Sequence, residues 1–376
     1  MDFDFTPEQA MLRESVARFL ADTYSFEQRQ AMVRSNEGWS PTRWRALAED
    51  IGILGAGFDV EHGGLGGGAV EHMIVMEEFG RALAIEPYLE TTVLGGALLR
   101  SVEAAQAVEW TGRIIAGEVR FAFAHLEPHS RYDLQHVTTR ATRAGDGWQL
   151  DGLKDAVRAA PFATHLLVTA RTAGGERERR GVATFVVAAD APGLGRRDYP
   201  TVDGSRAADV RFERTPARLL GSGDDGLPVL EAAVDAAVAG LCAEGVGVMR
   251  RLLADTVEYT KQRRQFDAPI AANQVLQHRM VDMYMTLEQA VSMTYFATLS
   301  LARPTTERIR AVAAAKAYVS KAARFVGQSA IQLHGGMGMT DDLAVSHYFK
   351  RATMIESQFG SADHHAARLE ALAAHA

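Results

Sequence analysis

Apolar residues recur at helical spacing at the start of the chain, where Leu12, Val16, Phe19 and Leu20 fall on one face. The preceding Thr6-Pro7-Glu8-Gln9 is a start signal: Thr6 as N-cap, Pro7 at the first helical position and Gln9 closing a capping box. Ser40-Pro41 opens a second helix that stops near Gly52. The glycine cluster from Gly63 to Gly68 separates it from a helix over about 69–84, and more helix runs to about Gly117.

At Val119 the pattern changes. VRFAFA, HVTTRAT, WQLDG, HLLVTART, GVATFVV and DVRFER are short and rich in β-formers, with turn signals AGDG, AGG and APGLG between them. They predict an antiparallel sheet, sandwich or barrel. From Pro228 helical periodicity returns over 229–263, 272–302 and 305–334, with one break at Arg303-Pro304-Thr305. The order predicts an α+β multi-domain chain: an N-terminal α-helical domain (1–117), a central β-domain (118–227) and a C-terminal α-helical bundle (228–376).

Composition narrows the classes. Hydrophobic residues make up 47% and charged residues 23%, which argues against disorder. A net charge of −7 gives no electrostatic reason to expect nucleic acid. Cys242 is the single cysteine, which excludes an intrachain disulfide and a cysteine-rich metal site and fits a reducing compartment. The opening MDFDFTPEQAM carries acids where a secretory leader needs a basic start and an apolar run. The most apolar stretch, Leu227 to Met249, holds Glu231, Asp235 and Glu244, which are costly in lipid, so a buried helix is expected there. These features predict a cytoplasmic protein without membrane insertion.

No P-loop, HExxH or GxSxG is present, so nucleophilic hydrolysis and zinc chemistry have no support. Gly64-x-Gly66-x-x-Ala69 lacks the preceding strand of a dinucleotide fingerprint and reads as a helix connection. Gln332 to Gly338, QLHGGMG, is a helix end capped by glycines, or a place where exposed amides meet phosphate oxygens. Tyr259 to Gln274 sets Arg263, Arg264 and Phe266 at a helix end, where arginines suit the dipole or bind an anion.

LAEDIGILGAGFDVEHGGLG, EEFGRALAIEP, GWQLDGLK, YTKQRRQF, QLHGGMGM and FGSADHH follow in order over nearly the whole chain. Together they resemble the acyl-CoA dehydrogenase family, in particular its pimeloyl-CoA dehydrogenase small-subunit type. The resemblance implies an α/β/α architecture enclosing FAD and an acyl-CoA thioester, which is desaturated at Cα–Cβ. It places the family's arginine, which binds the FAD pyrophosphate across a subunit interface, at Arg263 with Phe266 beside it, its glutamine at Gln274, and its Q-x-x-G-G element at Gln332, Gly335 and Gly336. Gly360-Ser361 falls where the family's chain passes the flavin. Ser361 is expected to cap the last helix and Asp363 to favour its positive end. His364 and His365, being adjacent, make a poor metal pair, and no metal is expected.

The departures concern the base. The family's glutamate in Y-E-G-T aligns with Phe359, and the alternative position, on the first helix of the bundle, aligns with Ala237; the arginine common beside it falls on Val238. Glu244 returns to nearly the same helix face but ~10 Å further along the axis. It is the weak substitute, its other reading being a buried carboxylate with a partner. Asp235 lies on a different face, and Glu356 suits a solvated surface. The family's W-I-T/S segment, which packs on the flavin, falls on Ala156-Val157-Arg158, and its G-S-D on His129 to Asp133.

These features favour one subunit of a hetero-oligomer, in which a larger homologous partner supplies the glutamate and electron-transferring flavoprotein accepts electrons. The alternatives are a homo-oligomeric dimer or tetramer using Glu244, and a scaffold subunit without FAD.

Overall fold

The computed structural model describes residues 4–374 apart from positions 222 and 224. Helix α1 (Pro7–Thr23) begins as its sequence dictates. The Thr6 hydroxyl accepts from the Gln9 amide at 3.3 Å, and the Gln9 side chain accepts from the Thr6 amide at 3.1 Å. Helix α2 (Phe26–Arg34) was not expected; Ser25 and Gln28 cap it reciprocally at 3.2 and 2.9 Å. Ser40 caps α3 (Pro41–Glu49). The glycine cluster follows a short 3₁₀ turn, Val60–His62, and no strand; a side chain at Gly64 would stand 2.1 Å from the Phe58 carbonyl. Then come α4 (Ala69–Ala82), a π-helical stretch Leu89–Leu94, α5 (Gly95–Leu99) and α6 (Ala104–Ile115).

Seven strands follow: β1 (Phe121–Ala124), β2 (Arg140–Ala144), β3 (Gly147–Arg158), β4 (His165–Arg171), β5 (Val182–Ala188), β6 (Leu194–Pro200) and β7 (Arg206–Leu220). The pairings β4–β2, β2–β3, β3–β7, β7–β5 and β5–β4 close a ring, so the barrel alternative holds. The sheet is not wholly antiparallel, because β1 runs parallel to β4. β6, polar and largely exposed, pairs with β7 alone, which explains its weak apolar pattern. Leu150, Leu166, Val168, Phe185, Val187, Val210 and Phe212 fill the barrel.

The remaining elements are α7 (Leu227–Gln262), a small hairpin β8 (Arg264–Gln265) and β9 (Ala268–Pro269), α8 (Gln274–Ser300), α9 (Thr305–His334), α10 (Ala344–Ser357) and α11 (Ala362–Ala374). α7 is long and apolar enough to cross a membrane, but 89% of its most apolar window is buried within the protein, as expected from its carboxylates.

Contacts gather the chain into two compact units that interleave in sequence. Of the described residues, the first holds those within 1–31, 69–84 and 238–376, and the second those within 32–68 and 85–237. In the first, α4 and α7 cross backbone to backbone. A Cβ on Gly247 would lie 1.9 Å from the Glu77 carbonyl, and one on Gly80 would lie 2.1 Å from that of Glu244. Glycine is the residue that permits this approach.

Candidate active site

Arg263 follows α7, and its carbonyl accepts from the Ile270 amide at 2.8 Å, closing the hairpin. Phe266 and Asp267 form the tip with φ of 52° and 63°, the mirror-image turn that suits a two-residue hairpin. The Phe266 ring stands fully in solvent, and Gln274 is exposed at the start of α8.

The end of α9 is tied to the end of α7. The His334 ring stacks on Tyr259 with centroids 4.2 Å apart, and its Nδ1–H donates to the Ala330 carbonyl at 2.8 Å. Burial pushes the His334 pKa down. Tyr259 precedes Arg263 by one helical turn, and His334 precedes Gly335 directly. The stack therefore brings the two phosphate-binding segments expected from sequence to one end of their unit. Neither Tyr259 nor His334 was singled out from sequence, because each reads as an ordinary helix residue.

Arg263, Gln274, Gln332, Gly335 and Gly336 are all exposed. A Cβ at Gly335 or Gly336 would meet open space, so packing within the chain does not require these glycines, although φ of 59° favours one at 335. A guanidinium, two side-chain amides and an uncovered glycine backbone are the donor set that a diphosphate needs, so the residues fit FAD here.

The second candidate segment is the turn from α10 to α11. Phe359 has φ of 56° and Gly360 φ of 116°. The Ser361 hydroxyl accepts from the His364 amide at 3.3 Å, capping α11, and Asp363 lies in its first turn. His365 Nε2–H donates to the Phe359 carbonyl at 3.0 Å. Burial first, and then the nearby Lys316 charge, lower the His365 pKa to about 3, so this ring is neutral. The His364 and His365 rings stand perpendicular with centroids 5.1 Å apart.

The two positions that the resemblance assigns to the base hold no acid. Phe359 is half-buried and Ala237 fully buried, and neither side chain accepts a proton. Both Glu244 oxygens are taken by the Arg351 guanidinium, whose Nε and Nη2 donate at 2.5 and 2.7 Å with both residues buried. Arg351 Nη2 also lies 3.4 Å from Gln358 Oε1, beside Phe359. Glu356 is held by Arg324 at 2.9 Å, and Asp235 is buried. Arg351 is the partner of Glu244 that sequence reasoning missed, since it lies 107 residues away.

In the second unit, Ala156-Val157-Arg158 spans a β-bulge. Ala156 has φ of 48° and donates its amide to Asp209 at 3.2 Å, while Arg158 reaches Asp203 at 3.2 Å. Glu127 anchors the loop before β2. Its carbonyl accepts from the buried Ser130 hydroxyl at 2.9 Å, and its carboxylate accepts from the Thr139 amide at 3.1 Å and from Lys154 at 2.6 Å. Burial alone would raise the Glu127 pKa, but the Lys154 charge and hydrogen bonds from Lys154, Thr138 and Thr139 outweigh it and hold the group at about 2.

Comparison with known proteins matches three successive domain families: acyl-CoA dehydrogenase N-terminal domain over residues 6–118, middle domain over 122–215 and C-terminal domain over 224–371. A probable acyl-CoA dehydrogenase, YngJ of Bacillus subtilis, is 28% identical, covering 96% of this chain and 97% of its own. The mitochondrial isovaleryl-CoA dehydrogenase of Pongo abelii is 28% identical over 95% of this chain and 86% of its own. Among solved structures, the ChsE4–ChsE5 complex of Mycobacterium tuberculosis superposes with a TM-score of 0.90 at 26% identity, covering 100% of both chains. A variant of the Tcur3481–Tcur3483 steroid ACAD superposes with a TM-score of 0.88 at 29% identity, covering 98% of both chains.

Proposed function

The chain belongs to the acyl-CoA dehydrogenase family, whose members are FAD-dependent oxidoreductases acting on CH–CH bonds, and from that premise we propose that it is the base-less subunit of a hetero-oligomeric enzyme that desaturates an acyl-CoA thioester. The observation that carries the reading is the state of the acids. Both family base positions hold hydrocarbon, and the nearby carboxylate of Glu244 is clamped by Arg351 at 2.5 and 2.7 Å. A base must reach its proton, and both Glu244 oxygens are directed at the guanidinium in the interior.

Arg263, Gln274, Gln332 and the amides of Gly335 and Gly336 would hold the FAD diphosphate, with Phe266 beside it and Ser361 and Asp363 at the flavin-edge segment. FAD supplies a hydride acceptor when bound. This chain's own contribution is to bind and orient, while a homologous larger partner brings the glutamate that takes the α-proton. Likeness to a protein solved as the ChsE4–ChsE5 complex supports a two-component assembly. So does α8, which leaves Val281, Tyr284, Met285, Phe296 and Leu299 each 46–54% exposed, an apolar face that suits another subunit. Electron-transferring flavoprotein is the proposed acceptor, and the single buried Cys242 suits the cytoplasm.

The test is co-expression with a glutamate-bearing homologue, followed by native mass, flavin absorbance and turnover of fatty and steroid-side-chain acyl-CoA thioesters. The isolated subunit should turn over about 10²–10⁴-fold more slowly than the complex, the typical worth of general-base catalysis. Full turnover by the isolated chain would overturn the reading, and a colourless complex would favour a scaffold.

A further inference from the structure

We propose that Lys316 is the positioning residue of the turn between α10 and α11: its ammonium holds that turn from behind and so sets where the Phe359 ring stands in the acyl-CoA site. The inference rests on reading that turn as the family's base segment.

Lys316, on α9, is fully buried. A lysine is rarely buried unless its charge is compensated. Its partners are the Ser320 hydroxyl at 3.1 Å and the carbonyls of Ile355, Glu356 and Gly360 at 2.8, 3.0 and 2.9 Å. The first two carbonyls belong to the last turn of α10, where the helix leaves its carbonyls unpaired and its dipole is negative. The third lies beyond Phe359. One ammonium thus grips the chain on both sides of that residue, while His365 takes the Phe359 carbonyl itself at 3.0 Å.

This grip has a physical purpose. An aromatic residue at φ of 56° is strained and persists only where its surroundings over-determine it. Gly360 cannot be replaced to relax it, since a Cβ there would lie 2.6–2.7 Å from the rings of His364 and His365. Lys316 and His365, from two different helices, therefore hold an unfavourable backbone in place at one of the two positions where the family carries its base.

The test uses the full chain purified with its FAD and any subunit that accompanies it. Hydrogen exchange by mass spectrometry is read over residues 355–362, and visible circular dichroism reports the bound flavin. Lys316→Met should speed exchange in that segment about tenfold, the equivalent of one lost hydrogen bond to a charged donor, and leave the barrel peptides unchanged. It should also alter the flavin dichroism, and that change should fall by at least about half in a Phe359→Leu background, because coupled residues are non-additive. Unchanged exchange, or an equal dichroism change with leucine at position 359, overturns the proposal. Should Lys316→Met fail to fold, Lys316→Gln, which keeps a polar end but loses the charge and reach, carries the same exchange test: faster exchange over 355–362 supports the grip and unchanged exchange refutes it. Absence of FAD from the wild-type protein would count against the functional reading alone, since the exchange measurement does not need flavin.

Discussion

Arg351 closes on Glu244 with two contacts of 2.5 and 2.7 Å, joining α10 to α7 in the interior of their unit. The geometry is bidentate, and each partner satisfies a charge that water cannot reach. Arg351→Leu should therefore destabilise the protein by about 3–5 kcal/mol, because it strands the carboxylate. Arg351→Leu with Glu244→Leu should recover most of that loss. Urea denaturation of the two variants decides it, and equal stabilities would show that Glu244 is hydrated.

Turnover in the assembled enzyme should not depend on Glu244. With the glutamate-bearing partner present, Glu244→Gln should change kcat by less than about threefold, against the ~10²–10⁴-fold expected for loss of a base. A collapse of kcat with flavin and fold retained would make Glu244 the proton acceptor. Ala237→Glu is a poorer probe, since Ala237 is fully buried and a carboxylate there should lower stability before it gives activity.

Flavin content should depend on Arg263. Replacing it with alanine removes a charge-assisted contact to phosphate and should weaken FAD binding by about tenfold or more. The flavin-to-protein ratio after gel filtration measures this, with far-ultraviolet dichroism as the check on fold. An unchanged ratio would remove Arg263 from the site.

Acid should unfold the protein partly through Glu127. Its folded pKa of about 2 lies below the ordinary carboxylate value of 4.5, so its contribution is complete above pH 4.5 and is lost as pH falls towards 2. Glu127→Gln should be less stable at neutral pH and show a shallower acid transition. A parallel transition, merely displaced, would mean that other carboxylates control acid unfolding.

Gly247→Ala should cost about 1–3 kcal/mol or more, as overpacking does, because its methyl would fall 1.9 Å from the Glu77 carbonyl. Gly336→Ala, which meets open space, should leave the thermal midpoint almost unchanged and affect flavin content instead. The contrast between the two glycines separates packing from binding.

The sequence displayed its long helices and most strands because apolar periodicity and caps are local. Thr6 to Gln9 is an example, and Ser25 to Gln28 carries the same capping signal for α2, hidden by weak apolar spacing behind it. β6 escaped for the opposite reason: it is a polar edge ending in Pro200. Candidate cofactor ligands were legible as residue types at helix ends. Their supports were not, since Glu244–Arg351, Lys316–Gly360 and Tyr259–His334 are partnerships across 107, 44 and 75 positions. Nothing local in a lysine of α9 announces three backbone carbonyls as its partners.

The fully exposed Phe266 ring at the hairpin tip bears on how a preparation of this protein behaves. A phenyl group held out into water gains free energy only when something covers it, and the apolar face of α8 is in the same position. Whatever covers them binds by mass action, so dilution should strip it away. Colour and thermal midpoint should then rise together with protein concentration. A pale sample from a dilute column would report on occupancy during handling rather than on the sequence.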